Sequence, residues 1–233
     1  MDRNDIKVPA AGGGSFDCYF VAPEGGGGDK RPAIVLASAI HGVDGDLRGI
    51  ADEFAAKGYL VAAPDLFSRS VPGPLAHDDP RSRPRGQPRL EKIREGEQDL
   101  VDTLEMLRAE PSFNGHAAVI GFCYGGPYAI LGPKRLGYDA GISCHGTQML
   151  DYLPELEGCA KPVCVIWGDE DVMAPPPVLE AYRDAAAKAK NLALHVFPGV
   201  KHSYMMPGST GAYDPKVRAF SMEQAFAILE GLR

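Results

Sequence analysis

Ala117-Ala118-Val119-Ile120-Gly121-Phe122-Cys123-Tyr124-Gly125-Gly126 is the stretch from which the rest of the chain can be read. An apolar run with strand character leads into G-x-C-x-G, and a helix-compatible segment follows. A side chain on so sharp a strand-to-helix bend needs neighbours almost free of bulk, so glycine is expected on either side of it. The bend exposes Cys123 and aims the N-terminus of the next helix at it. Backbone N–H groups and the positive end of the helix dipole then favour a thiolate, and the oxyanion of a bound acyl group. A buried structural thiol is the plainer reading of a cysteine, but a packing residue has no use for glycine on both flanks.

A nucleophile in this setting needs an acid and then a histidine, in that order, after later strands. Pro162-Val163-Cys164-Val165-Ile166-Trp167 is an apolar, β-branched run that ends in Gly168-Asp169-Glu170-Asp171, with Pro175-Pro176-Pro177 beyond it. Asp169 and Glu170 compete with Asp171; Asp171 is preferred because it is farthest from the strand end. Leu192 to Phe197 is a further strand candidate, and the loop that closes it, Pro198-Gly199-Val200-Lys201-His202-Ser203, carries His202. Among the other histidines, His195 lies inside a strand pattern and His116 in a turn before the elbow strand, while His41 and His145 also follow apolar runs. Cys123, Asp171 and His202 thus follow the order of a catalytic triad.

These segments, with Gly58-Tyr59-Leu60-Val61-Ala62-Ala63-Pro64-Asp65-Leu66-Phe67, resemble the dienelactone hydrolase family of α/β-hydrolases. The likeness runs from about Asp17 to the C-terminus. It implies the α/β-hydrolase fold and cleavage of a small ester or lactone of the dienelactone (carboxymethylenebutenolide) type through a thioester acyl-enzyme. Cys123 is then the nucleophile, His202 the base and Asp171 the residue that orients it, with the backbone N–H groups of Ile40 and Tyr124 as oxyanion donors. Two departures bear on the substrate. Family members that act on dienelactone carry a glutamate in the oxyanion loop, where this chain has Ala39. They also hold the substrate carboxylate with arginines, one a few residues after the histidine, where this chain has Tyr204-Met205-Met206. Arg81, Arg83 and Arg85 are candidates for the second arginine. An esterase or thioesterase with another substrate remains an alternative, as do a non-catalytic small-molecule-binding domain of the same fold and a redox-sensing Cys123. The ordered Asp171 and His202 argue against the last two.

Composition fits one α/β enzyme domain over residues 1–233. Lys and Arg number 24 against 31 Asp and Glu, a net charge of −7 that argues against a nucleic-acid partner. No apolar stretch approaches the ~18 residues of a membrane span, and the charged start Met1-Asp2-Arg3-Asn4-Asp5-Ile6 lacks a signal-peptide core. The five cysteines, Cys18, Cys123, Cys144, Cys159 and Cys164, form no C-x-x-C pair, so neither a disulfide framework nor a metal site is expected. A cytoplasmic enzyme without cofactor follows, a monomer or weak homodimer whose partner is its small ester or lactone substrate.

Strand and helix candidates alternate, which predicts a mostly parallel sheet with helices on both faces. Phe16 to Ala22 reads as an edge strand followed by a flexible turn at Gly25-Gly26-Gly27-Gly28. Ala33 to Ala37 and Leu60 to Ala63 read as strands; Asp46 to Lys57, Glu91 to Arg108, Pro177 to Lys190 and Val217 to Leu232 read as helices. Residues 68–89 have no periodicity and several prolines, and form a candidate active-site loop whose Arg81, Arg83, Arg85 and Arg89 are placed to meet an anionic substrate. Tyr204 and Tyr213 are expected on the opposite wall.

Overall fold

Short apolar runs become strands and the amphipathic runs between them become helices. The computed structural model describes residues 2–23 and 29–233, so the glycine turn expected at 25–28 lies outside the described residues. The chain divides into two compact units, Met1–Ala117 with Arg233, and Ala118–Leu232.

In the first unit, β1 (Asp2–Pro9), β2 (Ser15–Ala22), β3 (Arg31–Ala37) and β4 (Leu60–Pro64) are ordered β1-β2-β4-β3. The β1/β2 and β2/β4 pairs are antiparallel and β3/β4 is parallel. The expected edge strand at Phe16 to Ala22 is therefore corrected: β2 lies between β1 and β4, and β1 is the edge. The reason it was missed is physical. Arg3, Asn4, Asp5, Lys7 and Pro9 of β1 are exposed, and among its described side chains only Val8, paired in register with the buried Phe16, is buried. A polar antiparallel edge leaves little apolar alternation to read, and its charges discourage further strand addition. β3 and β4 are buried along nearly their whole length, which is why they read as continuous apolar runs.

Helix α1 (Gly45–Ala56) starts where the Asp44 carboxylate accepts a hydrogen bond from the Leu47 N–H at 3.0 Å. It buries Leu47, Ile50, Ala51, Phe54 and Ala55, a stripe at helical spacing, against β4 and β2. Gly58, at φ 95°, takes the left-handed conformation that lets the chain turn into β4. The 68–89 segment contains one short helix, α2 (Ser82–Arg85), and then α3 (Arg89–Arg108) begins. α3 packs on β1, β3 and β4 through Ile93, Leu100, Leu104 and Leu107. Its buried face also holds Asp99, whose two oxygens each accept from the Arg69 guanidinium at 2.6 Å. The pairing is what permits a carboxylate there.

β5 (Phe113–Phe122) begins in the first unit and leads into the second, where β6 (Ala140–Cys144), β7 (Val163–Gly168) and β8 (Leu192–Phe197) follow it in the order β5-β6-β7-β8, all parallel. The register pairs Phe122 with Cys144, Cys144 with Ile166, and Gly168 with Phe197, so the carboxyl ends of these strands lie side by side. In parallel sheets that edge carries the functional loops. β6 was not foreseen as a strand; Ala-Gly-Ile-Ser-Cys is short and built of small residues. The glycine in it is required, since a Cβ on Gly141 would stand 1.7 Å from the carbonyl oxygen of Ala129, in the short helix α4 (Tyr128–Leu131). His116 is corrected as well, because it lies within β5 and not in a turn before it. α5 (Pro176–Ala186) stops short of the expected Lys190, and α6 (Pro215–Glu230) is capped by the Asp214 carboxylate, which accepts from the N–H groups of Lys216 and Val217.

Candidate active site

The elbow owes its shape to close approach. A Cβ on Gly121 would lie 2.1 Å from the Gly125 carbonyl oxygen, and one on Gly126 would lie 2.5 Å from the Gly146 Cα. Neither glycine has a positive φ; that torsion falls on Cys123, at φ 49°, which opens the 3₁₀ turn Cys123–Gly125. A non-glycine residue holds the left-handed region only where its surroundings over-determine it. Here Thr147 does so from the loop after β6, since its N–H and its hydroxyl both donate to the Cys123 carbonyl.

Asp171 and His202 meet Cys123 as a relay. His202 Nε2 is 3.2 Å from Cys123 Sγ, and His202 Nδ1 is 2.9 Å from both carboxylate oxygens of Asp171. Asp171 is 2 % exposed and also accepts from the Met173 N–H at 2.8 Å, so its carboxylate is fixed as well as buried. Burial by itself lowers the His202 pKa, but the hydrogen bonds to Asp171 and Cys123 and the charges of both reverse this and hold it up at about 10.

The loops that carry Asp171 and His202 are tied to each other. Asp169 N–H donates to Phe197 O at 2.9 Å, Glu170 N–H to Val200 O at 3.1 Å, and Gly199 N–H to Asp169 Oδ1 at 2.7 Å. A Cβ on Gly168 would come within 1.8 Å of Val200 O, so glycine is what lets the two loops touch. The three candidate acids are thereby separated. The Asp169 side chain links the loops, Glu170 is exposed, and Asp171 reaches the histidine.

The remaining candidates fare unevenly. Tyr124, which follows Cys123 directly, is buried in the elbow turn. Ile40 lies in a turn of the first unit, closed by the Gly42 N–H to Ala39 O bond at 2.9 Å, and its own carbonyl accepts from Arg85 Nε at 2.8 Å. Arg85 is corrected as a free substrate anchor: it is buried, donates also to the Val71 and Gly73 carbonyls, and lies 4.1 Å over the Phe67 ring. It holds the 68–89 segment together. Arg81 is exposed and clasps Asp79, and Arg83 is exposed. Tyr204 is also corrected, since it is fully buried with its hydroxyl 3.0 Å from Ser221 Oγ and has no surface to offer a substrate; Tyr213 is 37 % exposed. Met206 is buried in its turn.

One feature of this unit escaped the sequence reading. His145, at the end of β6, is fully buried beside His202 with 5.1 Å between ring centroids; the only signal was that it follows an apolar run. In the first unit, Asp44, Asp46 and His77 bring potential metal-ligating atoms within 4.8 Å of one another, though Asp44 is already engaged as the α1 cap. No helix among the described residues is long and apolar enough to cross a membrane.

Comparison with known proteins bears on this geometry. The profile of the dienelactone hydrolase family matches residues 16–231. A carboxymethylenebutenolidase of Pseudomonas putida is 25% identical over 236 residues, covering 100% of this chain and 98% of the relative. Carboxymethylenebutenolidase 1 of Cupriavidus pinatubonensis is 26% identical over 212 residues, covering 90% and 89%. Among solved structures, a dienelactone hydrolase-like promiscuous phosphotriesterase from metagenomic libraries superposes with a TM-score of 0.80 at 19% identity, covering 100% of this chain and 99% of that one. A thermophilic esterase of Thermogutta terrifontis gives 0.72 at 16%, covering 99% and 92%. At such identities these structures share the fold, a mostly parallel α/β sheet of the hydrolase kind.

Proposed function

The chain belongs to the dienelactone hydrolase family, and from that premise we propose that it hydrolyses a small ester or lactone of the carboxymethylenebutenolide type, with Cys123, His202 and Asp171 as its triad. The observation that carries the reading is the relay itself, 2.9 Å from acid to base and 3.2 Å from base to sulfur. A buried packing thiol has no need of a histidine at that distance, nor the histidine of a buried carboxylate behind it.

The chemistry follows from the protonation state. With His202 protonated, an imidazolium stands 3.2 Å from the Cys123 sulfur that is to react. The sulfur attacks the acyl carbon, and the carbonyl electrons move to oxygen, where the Tyr124 N–H at the elbow is the nearby donor in chain position. The tetrahedral intermediate collapses to a thioester as the C–O bond to the leaving group breaks, and the leaving oxygen takes the proton from His202 Nε2. His202, now neutral, removes a proton from water; the hydroxide adds to the thioester, the C–S bond breaks to return the thiolate beside the imidazolium, and the carboxylic acid product leaves and gives its proton to solvent. Asp171 holds the ring in one tautomer throughout. A thiolate expels enolates and thiolates more readily than strongly basic alkoxides, which favours enol lactones, activated esters and thioesters as substrates.

The test is turnover of a dienelactone, p-nitrophenyl acetate and an acyl thioester by wild type and by Cys123→Ala. Cys123-dependent turnover of the dienelactone supports the substrate class. Turnover of the other two alone keeps the triad and replaces the substrate with another ester or thioester. A folded Cys123→Ala protein as active as wild type removes the mechanism.

A further inference from the structure

His145 has no part in the relay, yet it occupies a costly position. Its ring is fully buried and neither nitrogen has a hydrogen-bond partner. Its backbone is in the left-handed region, at φ 43°, fixed by its N–H donating to Ile166 O at 2.9 Å. The ring stands edge-to-face against His202, with centroids 5.1 Å apart and planes at 78°, and against Tyr204, at 5.3 Å and 82°. Phe122 is a third aromatic neighbour, at 6.2 Å. Resting on the triad reading above, we infer that His145 is a positioning residue, a neutral aromatic brace that holds the His202 ring between Asp171 and Cys123 and favours its cationic form.

Edge-to-face packing is the arrangement aromatic quadrupoles prefer, and a π-face also stabilises a nearby cation. The brace works only while His145 is uncharged. Burial and the neighbouring His202 both push its pKa well below that of a free imidazole. The titratable groups around the pair are Asp171 and Cys123 on His202, and Tyr204 against His145, with the buried thiol of Cys144 beside the Tyr204 hydroxyl. Burial raises the pKa of both Tyr204 and Cys144, so neither brings a charge near neutral pH. The ring's shape is then what the site uses, and its nitrogens are dispensable.

The experiment follows alkylation of the Cys123 peptide by iodoacetamide against pH, read by mass spectrometry, in wild type, His145→Leu and His145→Phe, each checked for folding by circular dichroism. The expected result is a profile moved up by about one pH unit in His145→Leu, roughly tenfold slower alkylation near neutrality, and a wild-type profile in His145→Phe. If His145→Leu does not fold, His145→Phe decides by itself. A folded His145→Leu with an unmoved profile overturns the brace, and so does a His145→Phe profile that is moved. The reading of the triad fails separately, if wild-type Cys123 alkylates no faster near neutrality than in His202→Gln.

Discussion

Thr147 grips the peptide of Cys123 twice: its N–H donates to the Cys123 carbonyl at 2.9 Å and its hydroxyl donates to the same oxygen at 3.2 Å. The positive φ of Cys123 is thus held from the loop after the neighbouring strand, and the strain in the elbow is offset outside it. Thr147→Val keeps the shape and the backbone bond but deletes the hydroxyl. The expected outcome is a loss of about 1 kcal/mol of stability, with kcat/KM lowered about threefold to tenfold because the sulfur is less well aimed. Thermal denaturation and steady-state kinetics check it; unchanged kinetics would show that the backbone bond suffices.

Gly121→Ala is expected to be far worse. The added methyl carbon would stand 2.1 Å from a backbone oxygen in the adjoining turn, an atom that cannot swing away as a side chain can. Either β5 or the turn must shift, at a cost of about 3 kcal/mol or more, and with it the position of Cys123. Soluble yield and melting temperature are the readouts. A variant that melts like wild type and keeps its activity contradicts the geometry of the elbow.

The raised His202 pKa has a signed consequence for stability. A free imidazole titrates near 6.5, whereas in the folded protein the hydrogen bonds and charges of Asp171 and Cys123 hold this one up at about 10. The folded state binds the proton more tightly, so the stabilisation is fully present below about pH 6.5 and is lost progressively as pH rises through the folded value. Urea midpoints measured from about pH 6 to about pH 10 should fall in wild type, and His202→Gln should remove that part of the slope. Identical slopes in the two proteins refute the raised His202 pKa.

Much of this was legible in the chain, and the failures have physical reasons. The elbow and the two later strand–loop units announce themselves because each joins an apolar run to a fixed turn chemistry; Gly121 stands against the Gly125 carbonyl and the Asp171 carboxylate reaches the His202 ring. β1 was missed because an exposed, charged antiparallel edge has no apolar period, and β6 because its small residues are chosen to admit α4 rather than to fill space. Arg85 and Tyr204 misled for one reason: a polar group near a functional segment reads the same in sequence whether it faces a substrate or carbonyls and hydroxyls of its own protein. His145 was passed over because its importance lies in a contact with a residue far along the chain.

The bonds that tie the Asp171 loop to the His202 loop run through residues 168–170 and 197–200 and use no atom of residue 123, so on the triad reading proposed above the acid and base are joined without the nucleophile. Cysteine and serine differ by one atom, and either would find the same oriented imidazole waiting. The fold therefore separates the part of its chemistry that is hard to reinvent from the part that a single codon change can alter, and a lineage can try a new nucleophile without rebuilding what activates it.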